Sequence, residues 1–201
     1  METKVVNFQS MELIKSLASG EVACFPTETV YGLAVRYDYQ DSFLKLIKIK
    51  QRNPDKPFTL MLSSSLEIGN YAYVDDKIQK LIDRYMPGEI TLLLKPKENL
   101  YPWVKLNSKY IGVRVSAKKE VRSLIQKVGV PLLVSSANIS NFNVVKNFDE
   151  AYQVFFNKVP YIVKGEANSN TPSTIIICED DLQLIREGNI KFEEIKKVWE
   201  G

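Results

Sequence analysis

The stretch Lys45-Leu-Ile-Lys-Ile-Lys-Gln-Arg-Asn-Pro-Asp-Lys-Pro-Phe58, KLIKIKQRNPDKPF, carries the end of an amphipathic helix into a loop punctuated by two prolines. Projected at about 100° per residue, Phe43, Leu46 and Ile47 share one face, and Lys50 falls in the middle of it. Lys45, Lys48 and Arg52 lie opposite, where a helix normally meets water. An unpaired ammonium turned toward a core costs several kcal/mol or gives up its proton. Two readings follow. Either Lys50 snorkels past the core edge at a helix end that favours cations, or an anion beyond the helix end partners it. Arg52 discriminates: only if the helix unwinds before it can both cations converge.

Outward from this helix, placed at about 41–51, the pattern interleaves strands and helices. Phe8 to Ala18 reads as a helix with Met11, Ile14 and Leu17 on one face and Gly20 as its stop. Strands are expected at Glu21 to Phe25, Phe58 to Leu62, Ile90 to Leu94, Tyr110 to Val115, Pro131 to Val134, Tyr161 to Val163, Thr174 to Cys178 and Leu182 to Arg186. Asp75 caps a helix whose Ile78, Leu81, Ile82 and Tyr85 recur at helical spacing. Further helices run from Lys118 to Val128, near Phe148 to Phe156, and from Phe192 to Trp199, while 101–109 reads as a loop. The class is α/β, a twisted mixed sheet with flanking helices in one domain over 1–201.

Bulk composition narrows the chemistry. The chain has 201 residues, 45% hydrophobic and 25% charged, with a net charge of +3. That balance permits an anionic ligand without demanding nucleic acid. There is no histidine, and the two cysteines, Cys24 and Cys178, stand far apart in apolar runs. A zinc site, a Ser-His-Asp triad and a Cys-His dyad are thus excluded in their usual forms, and both thiols are expected as reduced core residues. No run has the length of a membrane span or the apolar core of a signal peptide, so a cytoplasmic protein with no membrane partner is expected.

Three polar islands interrupt the apolar strands. In FPTETVYGL, 25–33, Thr27, Glu28 and Thr29 either cap a helix beginning near Thr29 or carry hydroxyls and a carboxylate into a strand-end crevice. In LLVSSANISN, 132–141, Ser135, Ser136 and Asn138 either satisfy their own turn or present donors to an anion. In YIGVRV, 110–115, alternation puts Tyr110, Gly112 and Arg114 on one face. Arg114 there is either solvated or a bidentate fork for carboxylate or phosphate.

These islands, in this order, resemble the YrdC/TsaC family of threonylcarbamoyl-AMP synthases, in its short single-domain form. The matching segments are PTETVYGL (26–33), KIKQRNPDKPF (48–58), PGEITLLLK (87–95), GVRV (112–115), SSANIS (135–140), PSTIII (172–177) and IREG (185–188). The resemblance implies a positively charged cavity enclosed by the sheet. It further implies conversion of L-threonine, bicarbonate or CO2, and ATP to threonylcarbamoyl-AMP and pyrophosphate, a nucleotidyltransferase reaction.

The product would serve N6-threonylcarbamoyladenosine formation at tRNA position 37, with downstream transfer proteins as partners and weak tRNA binding as a further expectation. ATP would enter as a substrate with Mg2+, and no protein metal site is expected. The rival expectation is an RNA-binding module with a basic cavity on the same fold. By the same resemblance, Lys50 and Arg52 are the catalytic pair on the phosphates. Lys56, Tyr110, Ser136, Asn138 and Arg186 join them at ATP, and Thr29, Tyr31, Arg114, Ser136 and Ser173 hold threonine. The chain departs from the pattern at Lys56, Met61, Asn141, 143–146 and Glu187.

Overall fold

Alternation in residues 59–62 and 111–115 divides a sheet into two unlike faces, and the molecule is built on that division. In the computed structural model, which describes residues 2–53 and 55–201, the chain begins β1 (Lys4–Val6), α1 (Met11–Ala18), β2 (Ala23–Pro26), β3 (Tyr31–Arg36) and α2 (Gln40–Lys50). It continues β4 (Thr59–Leu62), α3 (Asp76–Tyr85), β5 (Ile90–Leu94), α4 (Pro102–Lys105), β6 (Ile111–Val115), α5 (Lys119–Val128) and β7 (Leu132–Ser136). It ends α6 (Phe148–Phe155), β8 (Tyr161–Val163), β9 (Thr174–Cys178), β10 (Leu182–Arg186) and α7 (Phe192–Glu200).

All these strands join one sheet, in the order β1-β8-β2-β3-β7-β4-β6-β5-β9-β10. Four of its pairings, β1/β8, β2/β8, β4/β6 and β5/β9, are parallel and the rest antiparallel, as the mixed class requires.

One face is continuously apolar. Leu60 and Leu62, Val113 and Val115, Leu92 and Leu94, and Leu133 pack with Phe43 and Leu46 of α2, Ile78, Leu81 and Ile82 of α3, Phe155 of α6, and Ile195 and Trp199 of α7. A second, smaller cluster covers part of the other face, where Leu13, Ile14 and Leu17 of α1 and Val121, Leu124 and Ile125 of α5 meet Ala23, Phe25, Ala34 and Val134. The register continues that face past the two helices: Thr59 stands beside Val134 and Gly112, and Met61 beside Arg114. Polar and small residues begin where helical cover stops.

Most expected elements form within a residue or two of their predicted limits. Asp75 caps α3 by accepting from the Ile78 amide at 2.8 Å, and Gly129, with φ 84°, ends α5 in the left-handed region that favours glycine. Both cysteines are buried and free.

Three expectations are corrected. Met11 is 61% exposed, and α1 buries Leu13 instead, because Leu13, Ile14 and Leu17 share one helical face from which Met11 is rotated away. The residues after Thr29 form β3, not a helix, pairing antiparallel with β2 through Phe25 and Gly32. Segment 101–109 contains α4, whose Trp103 indole donates to the Tyr37 carbonyl at 2.8 Å. The strand β1, too short for periodicity to register, is added to the predicted set.

Candidate active site

The β2–β3 connection is shaped by one hydroxyl. Thr27 Oγ1 donates to the Val30 carbonyl at 2.7 Å and accepts from the Thr29 amide at 3.1 Å, closing a tight hydroxyl-bonded turn. The turn holds Glu28 under β6. There Arg114 Nη2 donates to Glu28 Oε1 at 2.6 Å and to Thr29 Oγ1 at 3.0 Å, while the Ser116 hydroxyl donates to Glu28 Oε2.

Burial pushes the Glu28 carboxyl up, but the Arg114 guanidinium and the Ser116 bond outweigh it and hold Glu28 below the ordinary carboxylate range. Arg114 is only 6% exposed, so the solvated reading of this arginine is excluded. Its Nε is buried without a hydrogen-bond partner among the described residues. Such a donor is costly unless a ligand accepts from it.

At the end of α2 the chain turns through Gln51 at φ 49°. The Arg52 amide reaches the Ile47 carbonyl at 3.2 Å and the Gln51 amide reaches the Lys48 carbonyl at 3.3 Å, the paired bonds of a Schellman stop. The helix therefore unwinds before Arg52. Its guanidinium donates to the Lys56 carbonyl at 3.2 Å and the Pro57 carbonyl at 3.0 Å, and lies 5.0 Å from the Phe58 ring centre.

Lys50 takes a different path. It is 1% exposed, and its ammonium donates to the Ser136 carbonyl at 2.6 Å, the Asn138 carbonyl at 2.9 Å and Asn138 Oδ1 at 3.0 Å. An ammonium has three protons, and all three are matched. Burial, reinforced by the nearby Arg52 charge, lowers Lys50 to about 7.

The third wall comes from β5, β9 and the chain after β10. Thr91 Oγ1 and Ser173 Oγ are 2.9 Å apart, and Arg186 Nε and Nη2 donate to the Ser173 carbonyl at 3.0 and 2.9 Å. Gly188 permits the close return: a Cβ there would sit 2.4 Å from the Pro172 carbonyl oxygen. Glu187, where the family pattern has proline, accepts from the Phe192 amide at 3.0 Å and leaves Arg186 facing inward.

These walls enclose a cavity of about 330 Å³ on the sheet face that α1 and α5 leave uncovered. Of the expected site residues, Thr29, Tyr31, Arg52, Lys56, Arg114, Ser136, Ser173 and Arg186 line it. Lys50, Asn138 and Tyr110 are absent from its walls. Lys50 and Asn138 lie behind the Ser136 wall, bonded to each other, whereas Tyr110 donates to Glu179 Oε2 at 2.7 Å. Tyr31 is among the lining residues, but its side chain is fully buried in the larger apolar cluster and its hydroxyl donates to the Gly165 carbonyl at 2.5 Å.

Lys146 is outside the walls; its amide donates to Glu150 Oε2 at 2.9 Å. Thr27, one of the hydroxyls expected at a crevice, lines the cavity, whereas sequence reasoning missed Thr91 and the small residues Gly32 and Gly112, although strand alternation carries Thr91 and Gly112 to the face of Arg114. Among the described residues, no cluster of three or more His, Cys, Asp or Glu side chains is placed to hold a metal ion. No helix among them is long and apolar enough to cross a membrane.

A mixed sheet with a polar cavity on one uncovered face defines a small-ligand-binding α/β domain. The Sua5/YciO/YrdC family model, described as telomere recombination, matches residues 15–188. The chain is 36% identical over 168 residues to the threonylcarbamoyl-AMP synthase of Pseudoalteromonas translucida, covering 81% of this chain and 89% of that one. It is 34% identical over 196 residues to a Methanocaldococcus jannaschii relative, covering 96% and 90%. Its structure superposes on Pyrococcus abyssi Sua5 complexed with L-threonine with a TM-score of 0.90 at 26% identity, covering 98% of this chain. The chain spans 61% of that Sua5 chain. The chain belongs to the Sua5/YciO/YrdC family.

Proposed function

We propose that this chain is a threonylcarbamoyl-AMP synthase, joining L-threonine, CO2 from bicarbonate, and ATP to give threonylcarbamoyl-AMP and pyrophosphate, for tRNA threonylcarbamoyladenosine formation. The carrying observation is Arg114, buried and anchored by Glu28, with an unpartnered Nε beside the cavity. A threonine carboxylate or carbamate supplies the missing acceptor. Thr29 and Ser173 flank it with hydroxyls, and the named relatives and the L-threonine complex of Sua5 agree with that chemistry.

The rest of the cavity suits a polyphosphate. Arg52, Lys56 and Arg186 line it with Arg114, and no carboxylate is among the described residues that line it. Its positive character follows from these side chains, since Glu28 offsets only Arg114. The threonine amine attacks CO2, forms the N–C bond and loses a proton, giving a carbamate. A carbamate oxygen then attacks the α-phosphorus as the bond to pyrophosphate breaks.

Both reactants are anionic, so fixed cations and positioning do most of the work, consistent with a chain that has no histidine. Mg2+ enters as the counter-ion of ATP; Glu28 is already committed to Arg114 and Ser116. Lys50 and Asn138 contribute by fixing the Ser136 wall. Transfer to tRNA belongs to partner proteins, in the cytoplasm.

A 330 Å³ cavity selects a small ligand over the RNA-binding alternative. Pyrophosphate release measured with all three substrates, and with each omitted in turn, tests the proposal. Release that is indifferent to threonine, or absent in the folded protein, refutes it.

A further inference from the structure

A second cavity, of about 440 Å³, opens behind the α2 helix end. Its walls are Val22, Ile49, Ile139 and Pro160, with Gln51 beside them. Three lysines stand at it: Lys45, Lys48 and Lys158. Lys45 is neutralised by Glu21, at 2.6 Å. Lys48 and Lys158 are exposed and make no ion pair among the described residues. Glu21, the acid at this cavity, is already taken by Lys45.

The result is an apolar recess with two uncompensated cations at its edge. A neutral apolar occupant would leave the two ammonium groups unanswered, and a bare inorganic anion would leave the recess unfilled. An occupant that answers both has an apolar body and one anionic head. We propose that this second cavity is a binding site for a small amphipathic anion, a chain or ring of carbon carrying a carboxylate or sulfonate. The apolar body fills the space between Val22, Ile49 and Ile139, and the head sits between Lys48 and Lys158.

The site is separate from the one described above. None of its residues lines the first cavity. They approach each other behind the Ser136 wall, where Gln51 follows Lys50 and Ile139 follows Asn138. The proposal stands independently of the synthase reading, because binding is measured without turnover.

The experiment is a fluorescence titration of the full chain with 8-anilinonaphthalene-1-sulfonate. Saturable binding of one probe per chain is expected, displaced by decanoate but not by an equal concentration of decanol, and not by ATP with threonine. Lys48→Glu and Lys158→Glu should each weaken binding by about 10-fold, roughly 1.4 kcal/mol, at an unchanged melting temperature. Both side chains are exposed, so the fold tolerates the changes. Hydrogen exchange should show probe-dependent protection at 49–51 and 139–140.

Displacement by ATP would locate the probe in the first cavity and overturn the proposal. Equal displacement by decanol, wild-type affinity in both variants, or no saturable binding would overturn it as well.

Discussion

Lys50 and Asn138 are joined twice: the lysine ammonium donates to the Asn138 carbonyl at 2.9 Å and to its Oδ1 at 3.0 Å. The same Oδ1 accepts from the Ser136 hydroxyl at 2.9 Å, and the Ser140 amide returns to the Lys50 carbonyl at 2.8 Å. Two segments 86 to 88 residues apart are thereby fastened into one wall. The lysine that seemed to point into a core points into a ring of oxygens.

Lys50→Met should therefore act through the wall. It leaves three acceptors without their donor and should cost about 2 kcal/mol of stability in urea unfolding at neutral pH. Threonine-dependent pyrophosphate release should fall by at least about 10-fold. Asn138→Ala should produce a similar loss, and the double variant little more than either alone. Additive losses would mean that the two side chains act separately.

The same residue sets a pH dependence. Its folded value near 7 lies below the ordinary 10.5, so between these limits the unfolded chain binds more protons. Stability accordingly rises with pH above about 7, and the ionisation penalty is fully present below it. The stability gap between wild type and Lys50→Met should widen from pH 7 to about 8.5, where unfolded-state thiols begin to ionise. A gap that is flat with pH would remove Lys50 as its source.

Glu28 behaves in the opposite sense. Its folded value is depressed, so its contribution is present above the ordinary 4.5 and disappears as pH falls through the folded value. Glu28→Gln leaves Arg114 buried without its counter-charge and should cost about 3–5 kcal/mol at pH 7. That deficit should shrink in acid. Equal deficits at pH 7 and pH 3 would show that folding leaves this carboxyl unshifted and that Arg114 does not hold it down.

Among the described residues, Arg52 donates to the Lys56 and Pro57 carbonyls and lies beside the Phe58 ring. Arg52→Ala should leave the melting temperature within a few degrees of wild type. It should raise the ATP dissociation constant by at least about 10-fold, or about 1.4 kcal/mol. Calorimetric titration measures this directly; unchanged affinity would place the phosphates elsewhere.

Gly112 forms the cavity floor, and a Cβ there would stand 3.3 Å from both Leu93 Cδ2 and Thr91 Cγ2. Gly112→Val should fold, because the added methyls extend into open cavity. Binding of threonine and ATP should be lost together. A variant that binds both normally would move the substrates off this floor.

Most of the sheet was legible in the chain because its strands are short apolar runs ended by polar islands. Residues 90–94, 161–163 and 182–186 needed no adjustment. β3 was not legible, since YGLAVR suits a helix or a buried strand equally well until Phe25 and Gly32 pair. β1 has three residues, too few to show a period.

The site divides in the same way. The sequence alone determined that Lys50 faces inward, that Arg114 shares a strand face with Gly112, and that catalysis proceeds without histidine. Those are matters of periodicity and composition. Only the tertiary structure decided that Lys50 serves the Ser136–Asn138 wall while Arg52 reaches the cavity, that Glu28 anchors Arg114, and that Tyr110 turns to Glu179. Each depends on a partner dozens of residues away. Periodicity orients a side chain within its own element, but what an oriented charge meets is set by the elements packed against it.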